Sequence, residues 1–168
     1  EHTIQTVAAV RMIAEGFQMD QQDMLIVQLA TWFHDTGYSD GPKDHEARSC
    51  VNAEAFLRGK ITDEDLESVL GCIRSTKVPQ QPNTLLEQII CDADLDYLGR
   101  DDFYTIGELL FQELKTKNVV KDFNEWNKMQ IRFLEAHTYF TKSAKALRRE
   151  GKLKHIEEIK EKILDFGS

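Results

Sequence analysis

The 168-residue chain contains few cysteines, and their spacing does not pair them. Cys50, Cys72 and Cys91 lie far apart, and no CxxC motif is present. A small secreted domain held by disulfides uses cysteines more densely, and a thiolate metal site uses them in pairs. The three cysteines are therefore predicted to be reduced thiols of an intracellular protein.

Long hydrophobic runs are also missing from the sequence. No window approaches the roughly 20 apolar residues that span a bilayer. Residues 1–15 lack the basic segment followed by a hydrophobic stretch that is typical of a secretory signal. These absences predict a soluble, cytoplasmic protein with no membrane partner.

Positive charge is scarce in this chain. Lys and Arg together number 21 against 29 Asp and Glu, which gives a formal net charge of −8. Binding of duplex nucleic acid depends on a basic surface, so the composition argues against that class of partner. A bound cation could still attract a small phosphate ester locally.

Alternating apolar patterns that would indicate strands are absent, and the hydrophobic period is helical nearly throughout. With 41% hydrophobic residues, the chain is predicted to form one all-α domain of about seven or eight helices. Residues 1–99 form its motif-bearing core, and residues 100–168 add helices that complete the bundle. The first predicted helix carries an apolar stripe of Val7, Val10, Ala14 and Phe17. The others are predicted from Asp20 to about Asp35, over 43–58, from Thr62, over 83–98, near 101–117, and over 123–149 and 152–165 with a break at Gly151.

Metal-ligand residue types occur in three separated segments. They are His2 in EHTIQTV, the His34-Asp35 pair that closes LIVQLATWFHDTGY, and Asp94 in CDADLDYLG. Such distant residues can meet at one ion only if the fold brings the segments together, so their order indicates an active site. Imidazole and carboxylate ligands without thiolate suit Zn, Mn, Fe and similar ions and leave coordination positions for water and substrate.

This order and these local segments resemble the HD-domain superfamily of metal-dependent phosphohydrolases, whose hallmark is H...HD...D on a helical bundle. The resemblance covers His2 to about Gly99. It implies an HD-type fold, with His2, His34, Asp35 and Asp94 as ligands of a divalent ion (Mn, Zn, Fe, Ni, Co or Mg). It also implies hydrolysis of a phosphoester or phosphoanhydride in a small nucleotide-like molecule by a metal-activated water.

Helical periodicity does not decide whether Asp92 or Asp94 is the ligand, because each aligns with apolar residues on the inward face of the helix. A calcium-binding loop that begins at Asp92 is excluded, because its sixth position would be Tyr97 and its twelfth Phe103. The choice of Asp94 rests on the resemblance of Ala-Asp-Leu to the family.

Further candidates surround the predicted ligands. Asp35 and His45 are the predicted catalytic residues, and His45 with Glu46 could serve a second metal, position a water or donate a proton. The alternative for His45 is a solvated helix turn. Many binuclear relatives have a His at the position of Thr76, so its absence argues against a full two-metal site.

Basic and histidine side chains outside the motif have weaker patterns. Lys77 and Arg48 are the predicted contacts for a substrate phosphate, with ordinary surface solvation as the alternative. His137 is predicted to pack in the core with one hydrogen bond, and His155 to be exposed. Two other functions stay open, an iron-dependent oxygenase of the HD type and a non-catalytic helical sensing module that contains a metal.

Overall fold

A computed structural model of the chain describes residues 2–165, without the side chains of Asp40, Leu164 and Asp165. The described residues form eight α-helices and two short 3-10 helices and contain no β-strand. The predicted all-α class and number of helices are therefore confirmed. No helix in this part of the chain is both long and apolar enough to cross a membrane.

The helices follow one another with short connections. In chain order they are α1 (His2–Ala14), α2 (Gln21–Phe33), α3 (His45–Leu57), α4 (Asp63–Ser75), α5 (Leu85–Asp94), α6 (Phe103–Thr116), α7 (Phe123–Ala136) and α8 (Lys142–Asp165). The 3-10 helices are Thr36–Asp40, directly after α2, and Asp96–Gly99, directly after α5.

The described chain packs as two compact units. The first holds the chain up to Leu95 together with Phe140–Ala144. The second holds Asp96–Tyr139 together with the chain from Lys145 onward. The organisation of the whole chain as a single domain stays a prediction.

Four helices of the first unit, α1, α2, α4 and α5, pack against one another. Their inward faces consist of aliphatic side chains that are fully buried: Val10, Val27, Val69, Ile73, Ile89 and Ile90. Burial of such side chains contributes about 1.5–3 kcal/mol each, so this core fixes the positions of the helix ends. The predicted ligands lie at or next to those ends.

Local caps set where several helices begin. The Asp20 side chain accepts a hydrogen bond from the Asp23 backbone N–H at 2.8 Å, and the Thr62 hydroxyl accepts one from Asp65 at 3.1 Å. Both are the N-caps that the sequence predicts. Thr84 and Glu87 add a reciprocal capping box at the start of α5.

The predicted break at Gly151 is wrong, because α8 runs through this residue without interruption. A Cβ atom at position 151 would lie 2.3 Å from the Gly99 carbonyl oxygen. Glycine is therefore needed here for close approach of two backbones inside the second unit, and not to end a helix.

The break lies instead between α7 and α8, at residues 137–141. Asp92 holds this segment, because its carboxylate oxygens accept hydrogen bonds from the backbone N–H groups of Phe140 at 2.7 Å and Thr141 at 2.8 Å. The Thr141 hydroxyl then accepts a hydrogen bond from Ala144 at 3.1 Å, which starts α8. The turn is thus set by a residue far back in the sequence.

Candidate metal centre

The four predicted metal ligands come together in the first unit. His2 opens α1, His34 and Asp35 follow α2, and Asp94 is the last residue of α5. Asp94 Oδ1 lies 3.0 Å from His2 Nε2 and 3.2 Å from His34 Nε2. Asp35 Oδ2 lies 3.6 Å from His2 Nε2 and 3.5 Å from His34 Nε2. Their ligation of a metal stays a prediction.

His34 is held in one orientation by the end of its own helix. Its Nδ1 donates to the Thr31 carbonyl oxygen at 2.7 Å, which directs Nε2 toward the two carboxylates. Nε2 is buried and has no aligned hydrogen-bond partner among the described residues. A buried imidazole nitrogen of this kind, with its other nitrogen bonded to a carbonyl, is typical of a metal ligand.

The charge around His34 favours a cation at Nε2. Burial lowers the pKa of His34, but contact with Asp94 and the negative charges of Asp94 and Asp35 outweigh burial and raise it to about 9. A proton and a metal ion would therefore compete for the same nitrogen, since a ligand imidazole must be unprotonated.

Asp94 stays ionised in this setting. Burial raises the pKa of its carboxyl group, but close contacts with His2 and His34 and the charges of both histidines outweigh burial and hold the pKa well below its usual range. The side-chain amide of Gln80 approaches the other carboxylate oxygen, Oδ2, at 3.5 Å. Asp94 can thus offer Oδ1 to a metal while Oδ2 faces the Gln80 side-chain amide.

Asp92 has a different role, although it lies only two residues away on the same helix. Its side chain is fully buried, and its oxygens accept from the backbone of Phe140 and Thr141. The structure therefore separates the two carboxylates that helical phase leaves equivalent. Asp94 faces the histidines, and Asp92 fixes the backbone that leads into α8.

His45 approaches the centre from the other side of Asp35. Its Nε2 lies 3.3 Å from Asp35 Oδ1 and 3.7 Å from Glu46 Oε1, and its Nδ1 donates to the Pro42 carbonyl oxygen at 2.8 Å. The His45 side chain is only 20% exposed, which argues against the solvated alternative. Asp35 thus has one oxygen toward His2 and His34 and the other toward His45.

The two predicted phosphate contacts have protein partners. Arg48 donates to the carbonyl oxygens of Gly37, Lys43 and Gly41, and so holds the connection between α2 and α3. Lys77 is exposed and lies 3.2 Å from Asp44 Oδ1. Contact of either side chain with a substrate stays a prediction.

Thr76 directly follows α4, at the position where a two-metal site of the HD type would have a histidine. It is buried, and its hydroxyl donates to the Ile73 carbonyl oxygen at 2.8 Å. The side chain therefore completes the helix end instead of offering a metal ligand.

Sequence reasoning missed some residues that position the centre. Thr6 lies one turn after His2, and its hydroxyl donates to the His2 carbonyl oxygen at 3.0 Å. The Thr31 carbonyl lies one turn before His34, so helical spacing could have identified both. Gln80 lies in an irregular segment between α4 and α5, where no periodicity could have indicated it.

The remaining histidines lie in the second unit. His155 was predicted to be exposed, and this is wrong, because it is buried and stacks on Phe103 with ring centroids 4.4 Å apart. Its Nδ1 also donates to the Leu98 carbonyl oxygen at 3.0 Å. His137 is half-buried beside Lys152, with 3.4 Å between His137 Nδ1 and Lys152 Nζ.

His2, His34 and Asp35 each offer one ligand atom, these atoms lie within 4.8 Å of one another, and the three residues could hold a divalent ion. Asp94 Oδ1 lies beside both histidines and could add a second carboxylate ligand. The set is open on one side, since the His2 and Asp35 side chains are 44% and 31% exposed. No family model, curated protein or solved structure matches this chain.

Proposed function

We propose that the protein is a metal-dependent phosphohydrolase of the HD-domain type that cleaves a small phosphorylated molecule such as a nucleotide. The observation that carries the proposal is the convergence of His2, His34, Asp35 and Asp94 from segments far apart in the chain. These are the residues of the H...HD...D pattern, and the buried Nε2 of His34 faces the two carboxylates without a well-aligned hydrogen bond among the described residues.

A divalent ion at this centre would lower the pKa of a water and polarise a phosphoryl oxygen. The residues of the chain supply the positioning. Asp35 can serve the ion through Oδ2 and orient the attacking water through Oδ1, which lies on the His45 side. His45, held at Nδ1 by the Pro42 carbonyl, is placed to move a proton at Nε2 during attack or departure of the leaving group.

The exposure of the centre to solvent favours a catalytic metal site over a structural one. Structural zinc sites are usually closed by four protein ligands, whereas catalytic sites keep a position for water or substrate. Here the exposed parts of His2 and Asp35 leave one side accessible to solvent. Lys77, which is exposed near the start of the segment after α4, is the proposed contact for a substrate phosphate.

Metal content tests the ligand assignment first. Protein purified without chelator is expected to hold close to one equivalent of a transition ion by elemental analysis. His34→Ala should lose it, because this substitution removes the buried nitrogen donor. His137→Gln, a histidine substitution in the second unit, is the matched control and should retain it. Equal metal in the wild type and His34→Ala would overturn the assignment of His34.

Turnover tests the activity. An aryl phosphoester and a panel of nucleotides should be hydrolysed with Mn²⁺, and chelator should abolish the reaction. His45→Ala is expected to reduce kcat by about 100-fold or more while metal content stays near the wild-type level. Metal-loaded protein that is inactive on the whole panel would refute the hydrolase and favour a sensing module.

A further inference from the structure

A cavity whose lining includes four basic side chains lies within the second unit. Its volume is about 520 Å³, and it is bounded by the end of α7, residues 137–139 and one face of α8. Its charged lining residues are Lys145, Arg149, Lys152, Lys160 and Glu135. The cavity therefore carries four cations and one carboxylate in a protein whose formal net charge is −8.

Only one of these cations has a carboxylate partner among the described residues. Lys160 Nζ lies 2.6 Å from Glu135 Oε1, so these two charges offset each other. Lys145, Arg149 and Lys152 form no ion pair with any of the described side chains. Their spacing of four and then three residues places them along one face of α8. Three positive charges thus face the same cavity without compensation.

Lys152 is the least exposed of the three. Its side chain is buried, and Nζ donates to the carbonyl oxygens of Leu134 at 3.1 Å and His137 at 2.5 Å. Burial lowers the pKa of Lys152, and the charge of Arg149 adds to this effect. Neutral carbonyls hold the ammonium group in place but leave its charge unbalanced, which is costly in a buried position.

The His137 ring forms part of the same wall. Burial lowers its pKa to about 4, with a further contribution from the charge of Lys152, so the ring is neutral near pH 7. Lys152 can only donate, and its contact with Nδ1 places the ring proton on Nε2. Nε2 is buried and has no partner among the described residues. His137 thus contributes a neutral ring beside Lys152 to this wall, and not a further positive charge.

We propose that this cavity is a binding site for a small anion with two or more negative charges, such as a phosphorylated or polycarboxylate metabolite. Lys145 and Arg149 contact the anionic group from the exposed side of α8, and Lys152 supplies the buried charge. Tyr139, Leu153 and Ile156 form apolar parts of the wall that suit the uncharged portion of the ligand. A volume of about 520 Å³ lies within the range typical of metabolite pockets.

Calorimetry with two probes tests the proposal. Metal-stripped and desalted protein is titrated with pyrophosphate and with citrate in a buffer free of phosphate. At least one probe should bind, and binding should weaken as NaCl is raised. The comparison of the two probes decides whether phosphate or carboxylate groups are preferred.

Matched variants assign the binding to this cavity. The double variant Lys145→Gln/Arg149→Gln should weaken binding by about tenfold or more, because it removes two charged contacts. Both side chains are exposed, so the fold should tolerate their loss. Lys154→Gln is the control, since Lys154 is an exposed cation on the same helix that does not line this cavity.

Ring nitrogen NMR gives a local readout that does not depend on activity or metal. Signals of the His137 ring should shift during the titration, while those of His155, which stacks on Phe103, should not. The proposal is overturned if neither probe binds the wild type, or if the double variant binds as tightly as the wild type. An equal loss in Lys154→Gln would also overturn it, since the effect would then be one of net charge. Each outcome is independent of the metal centre in the first unit.

Discussion

Asp92 and Asp94 lie two residues apart on α5 but have different partners, backbone amides for Asp92 and histidines for Asp94. The sequence could narrow the candidates to this pair, because both fall on inward positions of the helix. It could not separate them, since the partners of Asp92 are backbone groups 48 and 49 residues later in the chain. Every residue type except proline has a backbone N–H group, so the sequence does not show which residues will bond to Asp92. Only the resemblance to a family favoured Asp94 as the ligand.

The same substitution at the two positions should give different losses. Asp94→Asn removes a charged donor beside His2 and His34 and is expected to nearly abolish metal binding and turnover. Asp92→Asn should leave most metal bound but lower the free energy of unfolding by about 1–3 kcal/mol, because the amide nitrogen cannot accept one of the two backbone hydrogen bonds. Elemental analysis and urea denaturation measure the two effects. The larger metal loss in Asp92→Asn would contradict these roles.

His34 makes the stability of the metal-free protein depend on pH. Its pKa rises from 6.5 to about 9 on folding, so its stabilising contribution is complete below about pH 6.5 and is lost as pH rises toward 9. Urea denaturation of the metal-stripped protein between pH 6 and 9.5 should show this decline. His34→Gln should remove that part of the slope. The same decline in the variant would assign it to another group.

At the level of helices, the sequence predicted the starts better than the ends. Asp20 and Thr62 were identified correctly because a cap and the amide it accepts from lie three residues apart. The end of α7 and the continuity of α8 depend on contacts from distant segments, with Asp92 at residues 140–141 and Gly99 at Gly151. Gly151 was therefore interpreted as a helix breaker, although it permits close approach of two backbones.

The variants Gly71→Ala and Gly151→Ala should distinguish the effect of helix propensity on stability from the effect of packing. Gly151→Ala gains about 1 kcal/mol of helix propensity, but its Cβ would lie 2.3 Å from the Gly99 carbonyl oxygen. The free energy of unfolding is expected to fall by about 1–3 kcal/mol. Gly71→Ala gains the same helix propensity, but its Cβ would lie 3.2 Å from Glu87 Oε1, and the capping box holds that side chain. The free energy of unfolding should therefore change by less than about 1 kcal/mol in either direction. Denaturation curves compare the two, and a stabilised Gly151→Ala would refute the close approach.

For the molecule as a whole, composition and helical period were enough to predict the all-α class. The H...HD...D order also predicted which residues meet at one centre of the first unit. Neither could predict that Phe140–Ala144 packs with the first unit while the helices on both sides belong largely to the second. That arrangement depends on hydrogen bonds between distant residues, which periodicity does not record.

Metal binding should stabilise the folded chain by mass action, because the ligands are distant in sequence and meet only after folding. At a free ion concentration 100 times the Kd, the gain is about 2.7 kcal/mol. The unfolding temperature of metal-stripped protein should therefore rise steadily with added Mn²⁺. Asp94→Asn should show little rise, whereas Lys154→Gln should respond like the wild type. A Tm that is insensitive to the ion in the wild type would refute a site of this kind.

Phe140 and Thr141 lie outside any helix, where amide protons normally exchange rapidly with solvent. Their amides donate instead to the fully buried carboxylate of Asp92. Deuterium can replace these protons only when the segment detaches from α5, and reattachment must close a loop of nearly fifty residues. Hydrogen exchange at these two amides should therefore report opening of the first unit and be about as slow as exchange within its helices.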